Sequence, residues 1–292
     1  MRLPARSLRR FRWFPAVMDA AGLPSSTVYV KGRLVDLARG GQLRPNTSMI
    51  SGFNLNDGAL FVPGFGSLLE SMTSGGLASY FAERFGEERV SALADTFPIQ
   101  AAVQPPWLSR YFYSAQECET DFSYACTAQW VSTGATAQGL SAYIYQFSEP
   151  TSGGLVLHGD EIGYVFGTLR TPSAQQAAVS NITMTFWANF AKTGNPNGPG
   201  LPSWPIWNGS AAILNMSSSP VVLRTRRTIP SWVARSLNPT GTFMQVAYLQ
   251  PFRSHHYKGR ALPASWTSCT FERNGLVLVG MLHAFLRGEV PA

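Results

Sequence analysis

The stretch "LVLHGDEIGYVFG", Leu155–Gly167, holds one of the chain's four histidines. An apolar run ends in His158, a glycine follows, and Asp160 and Glu161 open a short helical pattern. Imidazole is the side chain that changes charge nearest neutral pH, but an isolated histidine after an apolar run is usually just a satisfied polar group, so this corner by itself assigns His158 no role. The two acids behind it read as first-turn residues of a helix, where the macrodipole favours negative charge.

Outward from this corner the pattern alternates strand and helix. Upstream, "SAYIYQF", Ser141–Phe147, is rich in β-branched and aromatic residues and predicts a buried strand. Downstream, "TPSAQQAAVSNITMTFWANFAKTG" predicts a helix capped at Thr171, with Pro172 first and Gly194 as its left-handed stop. Val179, Ile182, Phe186 and Phe190 would line its buried face. "SMISGF", Ser48–Phe53, reads as a strand entering a polar turn at 54–58. Residues 75–97 have helical spacing at Leu77, Phe81, Phe85, Val90 and Leu93, interrupted at Gly86. Further helix is expected around residues 107–131. Such alternation favours a layered α/β fold with chemistry in loops at one strand edge.

Composition sets the outer bounds. Apolar residues are 45% and charged residues 13%, a globular balance. The longest apolar candidate, 275–285, is too short to cross a bilayer, so no membrane span is expected. The net charge of +7 comes from two flanks: five arginines at 1–12 and nine Lys/Arg at 221–292 against Glu272 and Glu289. The body between them is net acidic, which argues against a nucleic-acid partner. Asn46, Asn181, Asn208 and Asn215 begin glycosylation sequons, pointing to secretion, although residues 1–22 lack the apolar core of a signal peptide. Cys118 and Cys126, eight positions apart, would close a small disulfide loop in an oxidising compartment. The adjacent His255 and His256 have no acidic or cysteine partner at ligand spacing, so they read as a solvated loop and no metal is expected. His283 and Cys269 receive no role.

"LVLHGDEIGYVFG", followed by "FWANFAKTGNPN" and "WPIW", resembles the C-terminal half of the type-B carboxylesterases, the cholinesterase-like branch of the α/β-hydrolases. The matching positions are His158, Gly159, Glu161, Trp187, Asn189, Phe190, Ala191, Thr193, Gly194, Pro196, Asn197, Trp204 and Pro205. "GFNLNDG", Gly52–Gly58, is similar to that family's "G-x-N-x-x-E-G" loop, with Asp57 where most members carry glutamate. "FPAVMDAAGLP", from Phe14, is similar to a segment shortly before it. The resemblance implies a partial α/β-hydrolase fold, the C-terminal half of the sheet with flanking helices, over residues 14–225. Residues 1–13 are then a basic flank that is not a native start, and 226–292 a basic tail outside the family pattern.

The resemblance also implies roles. His158 would be the general base and Asp57 the carboxylate that orients it, 101 residues apart in the chain. Asp57 also has the simpler option of making the Asp-Gly turn. The substrate would be a small-molecule or lipid ester, with no cofactor or metal. The family's serine sits on a "G-x-S-x-G" elbow, and no such pentapeptide occurs in these 292 residues. The nearest stretch, "GLSAY" at 139–143, fails at its fifth position and leads into a strand, so Ser141 reads as structural. A non-catalytic cholinesterase-like adhesion module is the alternative reading, as is a fragment without function. The oligomeric state is left open.

Overall fold

The computed structural model describes residues 34–150, 154–209 and 212–223, and the backbone of 276–278. The segment from Phe14, His255, His256, Cys269 and His283 lie outside these residues, as does most of both expected flanks.

A five-stranded sheet runs through the molecule in the order β4-β3-β2-β1-β5. Its strands are β1 (Ser48–Asn54), β2 (Ser141–Phe147), β3 (Ile213–Met216), β4 (Val221–Leu223) and β5 (Leu276–Leu278). The pairs β1–β2, β2–β3 and β1–β5 are parallel, and β4 returns antiparallel along β3. β1 and β2 match in register along their whole length, Ser48 opposite Ser141 through Asn54 opposite Phe147. Ser141 therefore starts a strand. The β5 strand belongs to the tail read as outside the family pattern, and its backbone pairs with β1.

Period-two alternation sends successive β2 side chains to opposite faces. Ala142 and Ile144 face α1 (Leu34–Arg39) and α5 (Cys126–Ala137), packing with Met49, Phe53, Val131 and Trp207. Tyr143 and Phe147 face the other way, towards α6 (Ile162–Val165) and α7 (Ala174–Thr193). Helices on both faces are what a parallel sheet needs to bury its apolar strands. A separate apolar cluster joins α2 (Ser74–Phe85), α3 (Val90–Thr96) and α4 (Arg110–Thr120) through Leu77, Phe81, Leu93 and Phe112. Among the described residues no helix is long and apolar enough to cross a membrane.

α7 forms where its periodicity places it, with Val179, Phe186 and Phe190 buried and Ile182 packed at the edge. Its cap differs from expectation. Ser173 is the N-cap, in a capping box: its Oγ accepts from the Gln176 backbone N–H, and Gln176 Oε1 accepts from the Ser173 N–H. Thr171 lies outside the helix with φ 46°, so Pro172 is not its first residue. A capping box satisfies two backbone donors where a Thr171 cap satisfies one, which is why it wins. Gly194 ends the helix in the left-handed region, φ 74°, as expected.

Cys118 and Cys126 are not bridged. Both are buried thiols on one helical run, α4 leading through a π-helical turn at Asp121–Ala125 into α5. Eight residues of helix separate two Cα atoms by about 12 Å, well beyond the reach of a disulfide. The helix expected over this stretch and the bridge expected within it were incompatible.

Candidate active site

β1 delivers the first half of the site. Beyond its end, Leu55 N–H donates to the Phe147 carbonyl (2.9 Å), keeping the chain paired with β2 as it turns. Asn56 then pairs with the segment before His158 as a strand would. Its N–H donates to the Val156 carbonyl (3.0 Å), and its Oδ1 accepts from the Val156 N–H (3.0 Å). The apolar run 155–157 is not a strand of the sheet. His158 sits in a turn of the long loop that follows β2. Asn56, through its own N–H and its Oδ1, satisfies the Val156 backbone without a further strand.

Asp57 is buried, and each of its oxygens has a donor. Oδ2 accepts from the Asn54 backbone N–H (2.8 Å), and Oδ1 accepts from His158 Nδ1–H (2.6 Å). The proton belongs to the ring because a carboxylate can only accept. The turn-forming role and the histidine contact coexist in one residue. Gly58 presses this loop onto α4. A Cβ there would stand 2.4 Å from the Thr120 nitrogen, and the Gly58 N–H donates to Thr120 Oγ1 (2.8 Å). A side chain at 58 would lift Asp57 away from the helix.

Two rings bracket the imidazole. Phe61 meets it edge-on at 5.4 Å and Tyr124 lies tilted at 5.2 Å. Tyr124 comes from the π-helical turn, which is tied to a half-buried ion pair. Glu119 accepts from Arg84, from Tyr80 Oη (2.7 Å) and from Ser123 Oγ (2.5 Å), and Ser123 lies in that turn. Nε2 makes no hydrogen bond among the described residues, and the side chain is 43% exposed. The imidazole thus has a fixed edge and an open one.

Burial lowers the ring's pKa, but the hydrogen bond and charge of Asp57, with a smaller push from Glu161, outweigh it and leave it above the ordinary 6.5. Glu161 is the residue most clearly missed. It is not simply a helix acid: its carboxylate accepts from Asn54 Nδ2 beside Asp57. Burial and then the Asp57 charge push its own pKa up. Asp160 instead accepts from the Leu157 N–H (2.8 Å) and closes the turn. Asn54, Thr120, Phe61 and Tyr124 also went unread. The motif quoted for the resemblance contained Asn54, but Tyr124 had no signal, because a π-helical turn breaks the 3.6-residue period.

The carboxylesterase family's sequence pattern matches residues 21–228. The chain belongs to the carboxylesterase family. Carboxylesterase 4A of Bos taurus is 40% identical over 88 residues, 27% of this chain and 16% of that protein. Carboxylesterase 1C of Rattus norvegicus is 28% identical over 196 residues, 58% of this chain and 34% of that protein. Pyrethroid hydrolase Ces2a of Mus musculus is 36% identical over 78 residues, 24% of this chain and 14% of that protein. The carboxylesterase chain described here thus spans no more than about a third of the length of these relatives. Its sheet with helices on both faces is part of an α/β-hydrolase fold.

Proposed function

We propose that this chain carries the acid and the base of a serine carboxylic ester hydrolase, with His158 as general base and Asp57 as its orienting carboxylate. The observation that carries this is the 2.6 Å bond from Nδ1–H to a buried carboxylate, on a ring whose other edge is open. Asp57 fixes the tautomer that leaves a lone pair on Nε2. A serine hydroxyl brought to Nε2 gives up its proton as its oxygen bonds to the ester carbonyl carbon. The imidazolium then returns that proton to the departing alcohol, leaving an acyl-serine. Water attacks the acyl carbon, loses a proton to Nε2, and the ring hands the proton back to the serine oxygen as the acid leaves.

The serine is supplied from outside these residues, as the missing "G-x-S-x-G" elbow implies. Small-molecule or lipid esters are the substrate class, and the sequons favour a secretory compartment. The purified chain is expected neither to label with a fluorophosphonate nor to cleave a short-chain nitrophenyl ester. Labelling together with cleavage would show that the nucleophile lies within it. For the pair itself, a proton spectrum is expected to show a low-field Nδ1–H signal that disappears in His158→Gln. A spectrum without it would remove the proposal.

A further inference from the structure

Asn54 touches both halves of the pair. Its backbone N–H holds Asp57 Oδ2 (2.8 Å). Its side-chain nitrogen donates to the Leu157 carbonyl (2.7 Å), one residue before His158, and to the Glu161 carboxylate, three residues after it. The histidine turn is therefore gripped on both sides by one amide. Both hydrogens of that amide are used, and turning it over would set its oxygen against two acceptors, so its orientation follows from chemistry. Oδ1 is buried with no partner among the described residues, a loss of hydrogen bonding that a residue kept for its donors accepts. Glu161 matches this. It sits partly buried beside Asp57, where a second carboxylate is electrostatically unfavourable, and its oxygen is what Asn54 donates to.

We infer that Asn54 is the positioning residue of the His158–Asp57 pair and that Glu161 fixes Asn54 in that role through its acceptor oxygen. The inference rests on the hydrolase reading above. The role is geometric: Asn54 sets the separation of the acid loop and the histidine turn without reaching any reacting atom. Ordinary strand-end packing by Asn54 would affect stability alone.

The test is exchange of the His158 Nδ1 proton with water, followed by NMR on the full chain with nitrogen-15 histidine and assigned with His158→Gln. In Asn54→Ala the exchange is expected to be about tenfold faster, the factor equivalent to one net hydrogen bond. Because that buried substitution risks unfolding the chain, Glu161→Ala and Glu161→Gln form a second arm. Glutamine keeps an acceptor oxygen for Asn54 and is expected to preserve the slow exchange, whereas alanine is expected to lose it. Glu161→Ala exchanging at the wild-type rate overturns the inference. So does equal acceleration in both Glu161 variants, since charge rather than the hydrogen bond would then be at work. A wild-type chain with no low-field proton removes the hydrolase reading first and this inference with it.

Discussion

The packing beneath β2 and the rim beyond β1 are built on opposite terms. Under β2, Trp204 is fully buried, with ring centroids of Phe186, Tyr143 and Trp187 at 5.2, 5.9 and 5.9 Å. Its indole N–H donates to the Ile144 carbonyl (3.0 Å). At the rim, a few polar groups hold one another across two loops, and the imidazole is half in solvent. The first region has apolar area and little polar choice. The second has little area and depends on each donor finding its acceptor. The family motif spans both, so matching it says nothing of which residues pack and which position.

Removing Trp204 should therefore cost most. Trp204→Ala is expected to destabilise the chain by about 3–5 kcal/mol, through lost burial and the cavity left behind. Denaturant unfolding of the two chains measures this. The contrast between the regions fails if that loss is smaller than the loss at a surface cap. Such a cap is Ser173, whose capping box joins solvent-exposed residues at the start of α7. Ser173→Ala is expected to cost about 1 kcal/mol. A loss near zero would mean that Thr171 or Pro172 can take over the start of the helix, as the sequence suggested.

The sequence was legible where a period or a motif had one physical meaning. The composition of β2, the strand-to-turn pattern of β1, the stripe of α7 and the Gly194 stop follow from geometry that any chain must obey. The resemblance names His158 and Asp57 together, and the structure sets the two side chains in contact, their roles being the proposal above. Illegible features were those with two competing meanings. Leu155–Leu157 had the composition of a strand, but Asn56 satisfies its backbone instead. Glu161 had the position of a helix acid, and its carboxylate turned back to Asn54. Two cysteines at short spacing suggested a loop until the helix between them held them apart. In each case a tertiary contact decided between options that sequence spacing leaves equal.

Asp57→Asn has the smallest expected effect on stability and the largest on the ring. Asparagine keeps an oxygen for the Asn54 N–H, so the turn should survive. What goes is the charge, and with it the strongest acceptor for Nδ1–H. In the folded wild type the ring's pKa is raised, so the pair contributes stability that is fully present below the unfolded value and lost as pH rises through the folded one. Without Asp57, burial becomes the dominant influence on the ring, opposed only by the smaller push from Glu161. The titration midpoint of His158, followed by its carbon-bound ring protons, is then expected to fall from above 6.5 in the wild type to below 6.5 in Asp57→Asn. The stability contributed at acid pH should vanish with it, so the two chains converge in melting temperature as pH rises past the wild-type midpoint. A midpoint that does not move would mean that Asp57 is only a turn residue. The rim would then be another piece of packing, and the distinction from the Trp204 region would not stand.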